Sequence, residues 1–227
     1  MSERRDSLFG RRKGKPLSPR RAGLMATLFR QRAVDIDQPP PASLAALFPR
    51  APAEVSLEIG FGGGEHLVAA AAAAPEAGFI GVEPYLNGMA SAVAAIHDAD
   101  LANIRLFDGE ASRLLDWLPT ASLAAVDLLY PDPWPKRRHW KRRFVSAENL
   151  DRLARVLAPG GRFRFASDIS SYVEWTLFHT LRHAAFAWTA ERADDWRLPF
   201  PGWQGTRYEA KAIVAGRRPT YLSFTRK

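Results

Sequence analysis

The chain has 227 residues, 47% apolar and 25% charged, which suits one domain of ordinary size with one good core. The absence of cysteine excludes disulfides and thiolate zinc sites, and no apolar run, not even Ala69–Ala74, approaches the about 18 residues of a membrane span. The formal net charge of +8 lies at one end: Met1–Arg32 carries ten Lys/Arg against two acids, and the remainder sums to neutral.

In chain order, residues 1–37 read as a basic, solvated and flexible arm. The arm contains Glu3 and Asp6 and shows no clear amphipathic stripe, which separates it from a transit peptide. The lack of cysteine fits a cytoplasmic, reducing compartment. Gln38–Ser43, with three successive prolines, forbids helix and opens the single domain, 38–227, whose core begins near Pro52.

From there apolar runs of β type alternate with Ala- and Leu-rich stretches. The pattern predicts strand Val55–Gly60, helix Glu65–Ala74, strand Phe79–Glu83, helix Leu86–His97, strand Ile104–Phe107 and a short helix Ala111–Leu118. It continues with strand Ala125–Leu129, helix Ala147–Leu157, strand Arg162–Ala166, helix Tyr172–Leu181, strand Phe186–Thr189 and strand Thr220–Phe224. Pro159-Gly160-Gly161 predicts a clean break between helix and strand. This order implies an α/β fold, a doubly wound and mostly parallel sheet with helices on both faces and an antiparallel last strand. Ligands of such folds sit outside the C-terminal ends of the strands.

The first strand runs into Glu58-Ile59-Gly60-Phe61-Gly62-Gly63-Gly64-Glu65. Glycines at this turn, Gly60 and Gly62 first, let the backbone approach a ligand closely, and the following helix offers free N–H groups. Glu83 ends the second strand, where an acid takes the ribose hydroxyls of an adenosine cofactor. Charge decides which cofactor. Glu58 and Glu65 would repel the pyrophosphate of NAD, whereas the ammonium and sulfonium of S-adenosylmethionine attract acids. A third acid is expected near the end of the third strand to accept from the adenine amine, and Asp108 and Glu110 both qualify. His179 and His183 have the i, i+4 spacing of metal ligands but no third ligand nearby, so no metal is expected.

Tyr130-Pro-Asp-Pro-Trp-Pro is an acidic turn stiffened by proline. It runs directly into Lys136–Arg143, six Lys/Arg in eight positions with His139 and Trp140 among them. A carboxylate beside such a cluster suggests chemistry on a base whose phosphates are gripped nearby. Arg137, Arg138, Lys141, Arg142 and Arg143 supply the grip, and Trp134 or Trp140 a stacking platform, unless Trp134 packs into the core. Trp117, Trp175 and Trp188 read as core.

These residues resemble the bacterial tRNA (guanine-N7-)-methyltransferases. The resemblance covers about Leu57–Phe224, through Leu-Glu-Ile-Gly-Phe-Gly, Gly-Val-Glu-Pro, the Tyr130–Phe144 motif, Ala-Ser-Asp and Thr-Arg-Tyr-Glu. It implies methyl transfer from S-adenosyl-L-methionine to N7 of a variable-loop guanine in tRNA, with no membrane partner, by a monomer or a homodimer. It further implies that Glu58, Glu83, Glu110 and Asp132 bind the cofactor, Asp132 being catalytic. Substrate positions fall on Lys136, Asp168, Thr206, Arg207, Tyr208 and Glu209, and RNA contacts on Arg138, His139, Trp140, Lys141, Arg142 and Arg143. Glu110 departs from the family's Asp, which leaves Asp108 in competition.

The chemistry agrees with the resemblance. N7 of guanine carries a free in-plane lone pair, so no prior deprotonation is needed and catalysis reduces to alignment and charge placement. Glu209 and Thr206 are expected to read the Watson–Crick edge, because a carboxylate matches the N1–H and N2–H donors of guanine. Asp168 is either a substrate contact or a helix cap. Rival readings are an RNA-binding protein without catalysis and an amino-methyltransferase, whose motif normally has two adjacent prolines after the acid.

Overall fold

The computed structural model describes residues 12–227; the first eleven residues of the basic arm lie outside that range. The helices are α1 (Pro19–Leu24), α2 (Arg30–Arg32), α3 (Glu65–Ala73), α4 (Leu86–Asp98), α5 (Ala111–Trp117), α6 (Ala147–Val156), α7 (Ser170–Leu181), α8 (Asp194–Arg197) and α9 (Arg207–Val214). The strands are β1 (Val55–Ile59), β2 (Gly78–Val82), β3 (Ile104–Phe107), β4 (Leu123–Leu129), β5 (Leu157–Ser167), β6 (Phe186–Trp188) and β7 (Thr220–Arg226).

The seven strands form one sheet in the order β3-β2-β1-β4-β5-β7-β6. β1 through β5 pair in parallel, and β7 inserts antiparallel between β5 and β6, as expected of the last strand. The order reverses between β1 and β4, which opens a crevice at their C-terminal ends. Strand-long apolar burial follows from coverage on both faces: Leu57, Ile80, Ile104, Val126 and Phe163 are almost fully hidden. Gly64, with φ +84°, starts α3 so close to α4 that an added Cβ would lie 2.6 Å from the Cβ of Ala92.

Three expectations need correction. The arm is not wholly flexible: Pro19–Arg32 is helical, passing through a π turn at Met25–Phe29, and Leu24, Met25, Leu28 and Phe29 pack on the cluster around Met89 and Ile96. An apolar stripe hidden among the arginines supplies that contact, and Ala33 then bridges to Leu106 beside β3. The Pro159–Gly161 break is a bulge within β5, since Leu123 pairs with Leu157 while Ala125 pairs with Arg162. Helices α8 and α9 occupy the stretch between β6 and β7 for which no element was expected. Among the described residues, no helix is long and apolar enough to cross a membrane.

Candidate active site

The loop after β1 needs glycine for geometric reasons. Gly62 has φ +59°, and a Cβ there would come within 3.2 Å of both Arg207 Nη2 and Tyr208 Cε2. Its N–H donates to Glu83 Oε2 at 2.8 Å, and Tyr85 N–H donates to Glu83 Oε1 at 2.9 Å. Glu83 thereby ties the loop after β1 to the loop after β2. Burial pushes its carboxyl above the ordinary range, against the two amides that favour the anion.

Gly60, Gly62, Glu83, Glu110, Asp132 and Tyr208 line one cavity of about 980 Å³ at the sheet's switch point. Glu110 is only 9% exposed at the start of α5, whereas Asp108 is exposed and outside the cavity wall. The structure thus separates the two acids that sequence left in competition. Glu58 lies elsewhere: it is buried and pairs through Oε2 with His66 Nδ1 at 2.8 Å, and burial raises its carboxyl while His66 opposes the rise. Next to it across the sheet stand Asp127 and Arg164, joined by two hydrogen bonds of 2.6 and 2.5 Å. Phe200 covers the Arg164 guanidinium and Trp203 leans on His66, and none of the residues in this polar row is among those that line the cavity.

The proline-bracketed turn is held in an unusual backbone state. Tyr130 (φ +50°) and Trp134 (φ +44°) both take left-handed conformations, which bulky residues adopt only where surrounding contacts enforce them, at a cost of about 1–3 kcal/mol each. Between them Asp132 points its exposed carboxylate at the cavity rim. Behind the turn, burial and then Tyr221 and Glu209 push the Tyr130 phenol far above its usual value, which keeps it neutral.

The cationic run folds as a 3-10 helix over Arg137–Arg142, and its members diverge. Lys136, Arg137, Arg138 and Lys141 are exposed, and Arg142 sits 5.0 Å over the Trp134 ring in the cavity wall. His139 meets Trp134 edge-on, and its ring is held below its usual pKa, first by desolvation and then by Arg142 and Arg138. Two expected RNA contacts turn inward instead. Trp140 packs against Trp175 with centroids 5.7 Å apart, and Arg143 is 3% exposed. The three-residue pitch of this turn carries positions 140 and 143 to the same inner side.

The C-terminal motif is also divided. Thr206 caps α9 by accepting from Glu209 N at 3.1 Å, while Glu209 Oε2 accepts from Thr206 N at 3.3 Å and from Trp203 Nε1 at 2.6 Å. Tyr221 donates to the other oxygen, and Glu209 is 6% exposed. Where a base-edge reading was expected of Thr206 and Glu209, the structure engages the Thr206 hydroxyl and both Glu209 carboxylate oxygens in fastening α9 to the body. Arg207 and Tyr208, by contrast, face outward over the glycine loop, Arg207 pairing with Glu65 at 3.5 Å. Asp168 pairs with Arg217, and Ser167, not Asp168, takes the amide at the start of α7.

His179 leans on Trp175 at a tilt of 50° and His183 pairs with Asp151, so the two rings serve separate contacts. Trp117, Trp175 and Trp188 are half-buried against the edge of the core. Sequence reasoning missed His66 and Trp203, which stand beside Glu58, and Tyr85, Asn149 and Arg152, which extend the cavity wall. The helix itself was legible, but which of the polar residues of α6 reach the cavity depends on the packing of α6 against α5.

Residues 52–221 match a protein-family model described as "Putative methyltransferase". A tRNA (guanine-N(7)-)-methyltransferase of Rhizobium meliloti (strain 1021) is 58% identical over 221 residues, covering 97% of this chain and 95% of that protein. The protein of the same description from Mesorhizobium japonicum is 57% identical over 222 residues, 98% of this chain and 95% of its own length. Among solved structures, the 16S rRNA methyltransferase KamB is similar with a TM-score of 0.57 at 19% identity, over 78% of this chain and 89% of that one. TrmN from Thermus thermophilus gives 0.55 at 15% identity, over 78% and 45%. These two likenesses concern the fold alone.

Proposed function

The chain belongs to the tRNA (guanine-N(7)-)-methyltransferase family, and from that membership we infer that it methylates N7 of a guanine in tRNA with S-adenosylmethionine as donor. The guanine is one in the variable loop, where a base edge is accessible outside the deep groove of helical RNA. One observation carries the reading: the glycine loop, Glu83, Glu110 and Asp132 wall a single cavity beside the exposed cations.

The residues present fit the donor. When bound, S-adenosylmethionine supplies a methyl group on an electrophilic, positively charged sulfur. Glu83 spends part of its acceptor capacity on Gly62 and Tyr85 and keeps the rest for ribose hydroxyls. Glu110 accepts from the adenine amine, in preference to the outlying Asp108. Glu58 acts from behind, through His66 and the strand end that carries the loop. Tyr208 closes over Gly62.

The nucleophile is a ready lone pair, so no side chain needs to remove a proton. Asp132 places a negative charge beside the transfer path, where the purine becomes cationic. Lys136, Arg137, Arg138 and Lys141, with Arg142 over Trp134, hold the RNA phosphates. Binding should therefore weaken steeply with salt, with log K falling by about 0.7–0.9 per neutralised phosphate for each tenfold rise. Replacing both Arg138 and Lys141 by Ala should reduce that slope by roughly 1.5, as filter binding across a salt series would register. An unaltered slope would remove these two side chains from the RNA contact.

The decisive test of the activity is chemical. Unmodified tRNA incubated with the chain and methyl-labelled donor, then digested to nucleosides, should carry its label in 7-methylguanosine. Label in any other nucleoside, or none in RNA, would refute the proposal.

A further inference from the structure

Arg143 differs from every other member of the cationic run. It is 3% exposed while Lys141 beside it is open to solvent, and among the described residues no carboxylate lies within ion-pair reach of it. Its Nε donates to the Pro133 carbonyl at 3.0 Å, its Nη1 to the Ser171 carbonyl at 2.7 Å and its Nη2 to Ser171 Oγ at 3.0 Å. The guanidinium lies 4.6 Å from the Trp140 ring, 4.8 Å from Tyr172 and 5.6 Å from Trp175.

We propose that Arg143 is a positioning residue for methyl transfer: its planar fork clamps the Asp132 turn to the N-terminus of α7 and sets where the Asp132 carboxylate stands. Pro131, Pro133 and Pro135 have no N–H, so the turn is best gripped through its carbonyls, and the Pro133 carbonyl immediately follows Asp132. Left-handed backbone at Tyr130 and Trp134 persists only where neighbours over-determine it, and this clamp is such a neighbour. Its other end, Ser171, lies three residues beyond Asp168, so one rigid group spans the two acidic loops at the ends of β4 and β5. Arg143 borders the cavity, but with 3% exposure and its Nε, Nη1 and Nη2 each donating to Pro133 or Ser171, its fork is committed to the clamp and not to phosphate.

The proposal rests on the reading of Asp132 given above, and the two fail separately. In the full chain with unmodified tRNA, Arg143→Lys keeps the charge but loses the fork. Its kcat should drop by about 10- to 100-fold, the loss expected of a misplaced group near the reacting atoms. KM for tRNA and the salt slope of tRNA binding should stay unchanged, whereas Arg138→Ala should weaken binding and flatten the slope. A folded Arg143→Lys protein with wild-type kcat overturns the proposal, as does weakened tRNA binding with a shallower slope, the mark of a phosphate contact. If Arg143→Lys does not accumulate folded, Ser171→Ala decides, because it deletes a single acceptor: a kcat lowered roughly threefold at constant KM supports the clamp, and an unchanged kcat overturns it. Full turnover by Asp132→Asn would instead overturn the underlying reading of the turn.

Discussion

Asp132→Asn should lower kcat by about 10²- to 10³-fold, the magnitude seen when one preorganised electrostatic group is removed from a transition state. The substitution preserves shape and cancels charge, and the side chain is exposed at the cavity rim, so folding should be unaffected. The phosphate-gripping cations are untouched, so tRNA affinity should hold. Single-turnover kinetics with saturating enzyme, beside filter binding of the same tRNA, separates the two quantities. The reasoning behind the size of the effect is the turn itself. Two left-handed residues and three prolines hold the carboxylate in one place before substrate arrives, so its charge needs no reorganisation during reaction. Turnover at the unsubstituted rate would show that this charge takes no part.

Glu209→Ala should act on stability and leave base choice alone. The carboxylate accepts from Trp203 Nε1, Thr206 N and the Tyr221 hydroxyl, and its deletion strands three donors in a region only 6% exposed at its centre. Unsatisfied buried donors cost about 1–3 kcal/mol each, so a loss of about 3 kcal/mol or more is expected. For a chain of this size that corresponds to a fall of roughly 6–12 °C in Tm. Cofactor affinity should decline in parallel, because the capping box that Glu209 completes holds α9 and with it Tyr208 against the glycine loop. The preference for guanine over adenine at the target position, measured on variant tRNAs, should persist. An unchanged melting temperature with relaxed purine preference would restore Glu209 as a reader of the base.

From Val55 to Trp188 the strand and helix positions were legible in the sequence, apart from the Pro159–Gly161 bulge, because the apolar runs there are short, β-branched or Ala-rich, and punctuated by Gly or Pro. The glycine loop, Glu83 and the Pro131–Pro135 turn were legible for the same reason: their chemistry is local. The N-terminal helices were hidden by composition. Leu24, Met25, Leu28 and Phe29 do recur at helical spacing, but the surrounding arginines and prolines outweigh them in any reading by charge. The α8–α9 region failed differently, since its Thr206/Glu209 capping box is a local helix signal that was read as a base-recognition motif.

The order of residues by itself determined the α/β alternation, the cofactor loop and the acidic turn leading into a basic run, since each depends on contacts among near neighbours. Only the tertiary structure decided that Arg142 lies over Trp134 while Arg143, beside the same cavity, is buried, that Glu58 answers to His66, and that Glu110 rather than Asp108 reaches the wall. The physical reason is that a charged side chain takes its role from what surrounds it. Those surroundings, Ser171 for Arg143 and Tyr221 for Glu209, arrive from segments far along the chain, where no local pattern announces them.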